Sequence, residues 1–162
     1  MYRKMYDNAR LYSSAAWILG RNSSRLSEQE RYRLVPSQIL AALALEQYFR
    51  SLYFALNGRD FQAAGRESYG IFQIFDSFDS TLKQQMEADF RTQLRRKKLK
   101  KGTPRDLEEN LKAWSEMLAP FRDPSATNPD TRLLQIWFFR EIENVVINRL
   151  REIKPELRNV AA

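Results

Sequence analysis

The stretch from Ser37 to Gly58, SQILAALALEQYFRSLYFALNG, constrains the fold of this chain more than any other. It is apolar around most of its circumference, yet it carries Glu46 and Arg50 one turn apart near its middle. A helix with so little polar surface cannot lie on the outside of a domain, so other helices must surround it. Pro36 opens it at a position where a missing N–H costs nothing, and Asn57-Gly58 supplies the C-terminal cap. Ala42, Leu45, Phe49, Leu52 and Leu56 form its main stripe, and Ile39, Leu43 and Tyr53 form a second. Only Gln47 and Ser51 suggest a narrow wet edge. Glu46 and Arg50 read as a partly buried, structural i,i+4 ion pair; the rival reading gives them a role in binding or self-association.

The remaining segments are helical in pattern too. Five glycines and six prolines in 162 residues leave long uninterrupted stretches, and no segment alternates strictly as a strand would. The chain is expected to be one all-α domain over 1–162, with its core over about 3–154. Residues 3–20 repeat Met5, Ala9, Tyr12, Ala16 and Leu19 along one face. The connector up to Val35 is polar, and Ser27 followed by Glu30 has the spacing of a capping box. Ile71, Phe72, Ile74, Phe75 and Phe78 make a dense apolar patch, read as a short helix that plugs the core. Asp79 is placed to cap the next helix, whose stripe is Leu82, Met86, Phe90 and Leu94. Thr103-Pro104 is read as the start of a further helix, with Leu107, Leu111, Trp114 and Leu118 inward. A proline-rich loop follows. Asn128-Pro129 is read as opening the last helix, which runs to about Lys154 with Leu134, Phe138, Ile142, Val145, Val146 and Ile153 inward.

Composition removes whole classes of chemistry. Without cysteine there is no disulfide, thiolate nucleophile or thiolate metal site, and without histidine there is no imidazole acid–base pair or histidine-ligated zinc. Neither a metal nor a cofactor is expected, and the balance leans against an enzyme. The charged N-terminus has no apolar core of a secretory signal, and no run approaches the ~18 apolar residues of a membrane span, which makes cytoplasmic the default expectation and a membrane partner an unexpected one.

The charge points the other way, toward a polyanion. Twenty-seven basic against twenty acidic residues leave a net +7. Six of the positive charges, Arg95, Arg96, Lys97, Lys98, Lys100 and Lys101, fall within seven residues. They read either as a phosphate-binding patch or as a solvated helix end whose cations favour the C-terminal dipole. No aromatic is interleaved, so base stacking from this run is not expected. A second set, Arg140, Asn144 and Arg151, shares one face of the last helix with Trp137 and Asn148. That face suits a phosphate or a base, and it equally suits solvent.

Three segments carry a resemblance. Residues 42–58 with the preceding Ala41, ALALEQYFRSLYFALNG, resemble the second helix of HEPN-domain proteins, with its alanine-leucine-glutamate core and closing glycine. Residues 65–78, GRESYGIFQIFDSF, are similar to the segment that follows it in the family. Residues 106–122, DLEENLKAWSEMLAPFR, are similar to a later helix with a tryptophan and a closing arginine. The resemblance spans roughly 38 to 122. It implies an antiparallel HEPN-like bundle, of about five to six helices here, and a two-fold homodimer. Many members are ribonucleases of toxin–antitoxin, phage-defence or CRISPR-associated systems, while others only bind RNA or nucleotides. Active members carry an arginine closely followed by a histidine. This chain has none, and Tyr69 stands in the segment where histidine is expected; a tyrosine of pKa about 10 is a poor general base at pH 7.

The leading expectation is therefore a non-catalytic, HEPN-like protein that binds RNA or a nucleotide through a basic surface, in a toxin–antitoxin or phage-defence setting. The alternatives are a protein-interaction or antitoxin-like subunit, whose partner is another protein, and a degenerate, histidine-independent ribonuclease.

Overall fold

The computed structural model describes residues 1–21, 35–62, 70–95, 97–99, 103–122 and 136–159, leaving aside the side chains of 117–122, 136, 137 and 159. Among the described residues the fold is all-helical: α1 (Tyr2–Gly20), α2 (Val35–Asn57), α3 (Ile71–Asp76), α4 (Ser80–Leu94), α5 (Leu107–Arg122) and α6 (Ile136–Ile153), then a single 3-10 turn, Pro155–Asn159. The expected caps at Ser27–Glu30 and Asn128-Pro129, together with Leu134 and Tyr69, lie outside the described residues, as does the side chain of Leu118.

Helices α1 and α2 form an antiparallel hairpin held by two hydroxyls. Ser37 Oγ donates to the Ala16 carbonyl at 2.8 Å, and Ser51 Oγ donates to the Tyr2 carbonyl at 2.9 Å. Both pairs are spaced by fourteen residues, close to four helical turns, so the clips sit on one face of each helix. The faces between them are rich in small residues, with Ala9, Ser13, Ala16 and Gly20 buried on α1 and Ala41 and Ala44 on α2, beside the buried Tyr6 and Tyr48. This corrects the sequence reading of both helices. Tyr12 and Leu19, expected inside, are 36% and 53% exposed, and Ser51, expected on a wet edge, is buried. Leu56 is exposed as well. Small side chains bury completely when two backbones approach closely, whereas apolar periodicity weights only the large ones.

The other buried face of α2 carries the main core. Ala42, Leu45, Phe49 and Leu52 are all inaccessible, as the main stripe requires. Phe49 meets Phe75 edge-on and Phe78 in a stacked arrangement, both with ring centroids 6.3 Å apart. Tyr6 packs edge-on against Tyr48 at 5.6 Å. Gly58 closes α2 with φ +70°, its N–H donating to the Phe54 carbonyl at 2.9 Å, as a left-handed glycine cap does. Glu46 is buried; Arg50 is half-buried and holds Asp60 through Nε (3.1 Å) and Nη2, a partner that the i,i+4 spacing did not point to.

Helix α3 plugs the core with Ile71, Ile74 and Phe75. Asp79 caps α4 by accepting from the Leu82 N–H at 2.9 Å, and Leu82, Met86, Phe90 and Leu94 are all buried. Helix α5 begins later than its expected Thr103-Pro104 start. The first helical N–H, that of Leu107, is taken by Glu87 Oε2 of α4 at 2.8 Å, so the cap comes from another helix. Leu107, Leu111 and Trp114 face inward, with Trp114 6.2 Å from Phe139 of α6. Pro155 ends α6, and the 3-10 turn after it returns Leu157, which is fully buried, to the core.

One close approach is testable. A Cβ at Gly70 would stand 2.7 Å from Ser115 Cβ and 2.8 Å from both Ser115 Oγ and Gln73 Oε1. Ser115 Oγ there also accepts from the Phe72 N–H at 2.8 Å, joining α3 to α5. Gly70→Ala is expected to destabilise the fold by about 1–3 kcal/mol through overpacking, read as a lower urea midpoint at unchanged m-value.

Candidate nucleic-acid interface

The C-terminal half of α4 stands as a ridge between two clefts. The first, of about 580 Å³, lies beside the end of α4, with Arg91, Leu94, Arg95, Lys97 and Leu99 on one side and Arg105 and Asp106 on the other. The second, of about 530 Å³, lies between α4 (Asp89, Thr92, Gln93), α6 (Asn148, Arg149, Arg151, Glu152) and Arg158 of the 3-10 turn. The clefts fall on opposite sides because residues 89 and 93 share one face of α4 while 91, 94 and 95 turn toward the other.

Within each cleft the cations are of two kinds. In the first, Arg91 is held by Glu87 Oε1 (2.8 Å) and Asp106 Oδ1 (2.5 Å), and those hydrogen bonds, from Asp106 first, raise its pKa above the ordinary arginine value. Lys97 reaches across to Glu141 of α6, Nζ to Oε1 2.5 Å, a carboxylate whose side chain is only 7% exposed. In the second, Arg149 bridges Asp89 and Glu152, the latter at 2.7 Å. These three arginine and lysine side chains tie helices together. Arg95 and Arg105 in the first cleft, and Arg151 and Arg158 in the second, have no carboxylate within ion-pair distance among the described residues. In the second cleft, moreover, the Nε donors of Arg149 and Arg151 are shielded from solvent without an acceptor. A shielded donor left unmatched costs about 1–3 kcal/mol and is relieved by an anion.

The sequence candidates divide accordingly. Arg95 and Lys97 line the first cleft and Arg151 the second, while Lys98 is exposed outside both linings. Arg96, Lys100 and Lys101 lie outside the described residues. Asn144 is exposed on α6 two turns before Arg151, away from either cleft lining. Arg140 is drawn to a different neighbourhood. Its guanidinium sits 4.8 Å from the Trp17 ring of α1 and bonds Glu143 Oε2 at 2.8 Å. The side chain of Trp137, expected beside it, lies outside the described residues. Arg91, Arg105, Arg149 and Arg158 belong to the clefts and were missed. Arg91 could have been found from its i,i+4 spacing to Arg95; the other three are gathered by helix packing that no local spacing encodes.

Glu143 also organises the interior. It is buried and hydrogen-bonds the hydroxyl of Tyr48 on α2. Burial first, and then this carboxylate, push the Tyr48 pKa well above its ordinary value of 10.0. A folded-state pKa raised above the unfolded one means that the contribution is intact below pH 10 and is lost as the pH climbs past it. The melting temperature is therefore expected to hold between about pH 8 and 9.5 and to fall beyond about pH 10. Tyr48→Phe should flatten that alkaline fall, whatever its effect at neutral pH.

Neighbouring lysines of the basic run should behave differently. Lys97→Ala strands the buried Glu141 carboxylate and is expected to cost about 2 kcal/mol at pH 7. Lys98→Ala should stay within about 0.5 kcal/mol of the parent. Denaturant titrations of the two variants at pH 7 measure both.

Comparison with protein-family models, with curated protein sequences and with solved structures gives no match to the chain, so a functional reading rests on the two clefts.

Proposed function

We propose that this protein is a non-catalytic, HEPN-like helical protein that binds RNA through the band of arginines crossing the end of α4. The observation that carries the reading is the pair of unmatched arginines in each cleft, Arg95 with Arg105 and Arg151 with Arg158. Guanidinium groups without carboxylate partners are available for bidentate contact with phosphate oxygens. Among the described residues the apolar side chains of the first cleft are Leu94 and Leu99 and neither cleft is lined by an aromatic ring, so the reading is one of phosphate contact rather than base stacking. Two clefts flanking one helix favour a strand over a single nucleotide, because a strand engages both. A toxin–antitoxin or phage-defence setting accords with the HEPN resemblance.

The reading contains no chemical step. No histidine is present, and among the described tyrosines the most shifted, Tyr48, is shifted away from neutrality, opposite to what a general base needs. A partner-protein role is the rival, and it predicts a stoichiometric protein complex with no affinity for RNA.

Fluorescence anisotropy with a labelled single-stranded RNA, titrated between about 50 and 300 mM salt, tests this. Four phosphates neutralised on a single strand give a log–log slope of about −2.8, and Arg95→Gln with Arg105→Gln should shorten it by about 1.4. Arg151→Gln with Arg158→Gln should do the same, and Lys112→Gln, whose ammonium pairs with Glu108 on α5, should not. No binding at the lowest salt, or a slope indifferent to both arginine pairs, sinks the reading.

A further inference from the structure

Seven large apolar side chains are exposed among the described residues, and five of them, Leu11, Tyr12, Trp17, Ile18 and Leu19, lie on the second half of α1. Scattered exposed leucines need no explanation, but a contiguous row on one helix does. Leu11 and Ile18 are each 69% exposed, Ser14 between them is exposed, and Ala15 is half-buried. This face points away from the small-residue face that packs on α2.

The row has a repeat. Asp7, Leu11, Ser14, Ile18 and Arg21 follow one another at intervals of four, three, four and three, the spacing of a helix–helix seam. It is also complementary to its own reverse. Turned about a two-fold axis between Ser14 and Ala15, Leu11 meets Ile18 of the second copy, and Asp7 falls within one residue's rise, about 1.5 Å, of register with Arg21 of that copy. The small residues at the crossing point let the two backbones approach. Asp7 and Arg21 have no ion-pair partner of their own among the described residues. Antiparallel alignment also sets opposite ends of the two helix dipoles side by side.

We infer that α1 is a self-association surface whose occupant is α1 of a second copy of this chain, packed antiparallel about a two-fold axis between Ser14 and Ala15, with an Asp7–Arg21 charge pair at each end of a Leu11–Ile18 seam. A single helix pair makes a small interface, and the dimer is of micromolar strength. The seam is remote in sequence from the arginine clefts, so this inference and the RNA reading stand or fall separately.

Sedimentation equilibrium of the full chain between about 1 and 200 µM measures it, with circular dichroism to confirm that each variant keeps its helix content. Ile18→Lys, at an exposed position, is expected to raise the dimer Kd at least ~100-fold. Asp7→Arg and Arg21→Asp should each raise it ~10-fold by opposing like charges, and the double exchange D7R/R21D should return it to within ~3-fold of the parent. A parent chain that sediments as a monomer throughout overturns the inference, including the case in which hydrogen exchange shows α1 protected within that monomer. A dimer indifferent to Ile18→Lys overturns it too, as does a double exchange that fails to restore what the single changes removed.

Discussion

Two serine hydroxyls set the register on which the rest of the molecule depends. Ser37 and Ser51 clip α2 to the carbonyls of Ala16 and Tyr2, and small side chains together with the Tyr6–Tyr48 ring pair are buried between them. Each hydroxyl reaches a carbonyl that is already bonded within its own helix, using the second lone pair of that oxygen. The gain is modest for each bond, about 1 kcal/mol, but their common spacing leaves one axial alignment in which both form. That alignment sets the tyrosine pair Tyr6–Tyr48 and presents a shared surface to α6. Tyr2 and Trp17 at the two ends of α1 then meet Lys154 and Arg140 at opposite ends of α6, which fixes those helices as antiparallel.

Helix α6 is unusual in burying two carboxylates, Glu141 and Glu143, on either side of its apolar arc. Each is matched by a cation at the rim, Lys97 for Glu141 and Arg140 for Glu143, and Tyr48 donates to Glu143 from within. Buried ion pairs rarely add net stability against an apolar alternative, but they penalise every arrangement that leaves a charge alone. Here they hold the end of α4 and the end of α1 against α6. The cleft walls are thus built by the charges that are satisfied, and what remains in them is the unsatisfied set.

Much of this architecture could be read in the chain wherever large apolar residues repeat. Leu82, Met86, Phe90 and Leu94 on α4, and Ala42 to Leu52 on α2, are where their spacing puts them. The cap at Asp79 and the glycine at 58 are local chemistry, and local chemistry is legible. The hairpin face was not, because Ala9, Ser13, Ala16 and Gly20 carry almost no hydrophobic signal, and a serine scores as wet wherever its bond goes. The start of α5 was displaced for a related reason, since its first N–H is capped by Glu87 from another helix. The clefts were half legible. A run of lysines and arginines announces itself, but whether a given cation is spent on Glu141 or left free is decided by residues more than forty positions away.

That last distinction changes how a basic surface should be weighed. Among the described residues the first cleft is lined by four cations, yet Arg91 and Lys97 are already neutralised by Glu87, Asp106 and Glu141. With those partners counted, its described lining carries little net charge, and so does that of the second once Asp89 and Glu152 are set against Arg149. Long-range steering of a polyanion depends on that small net charge and on the chain's overall excess. Short-range capture depends on something else: guanidinium groups held in place by packing, with donor hydrogens not yet assigned. A paired arginine contributes to a cleft's shape and almost nothing to its affinity, because a phosphate would have to displace a carboxylate that is bonded already. On the proposed reading, the affinity of each cleft would be set by its two unmatched arginines, and the helix between them would set how far apart bound phosphates lie.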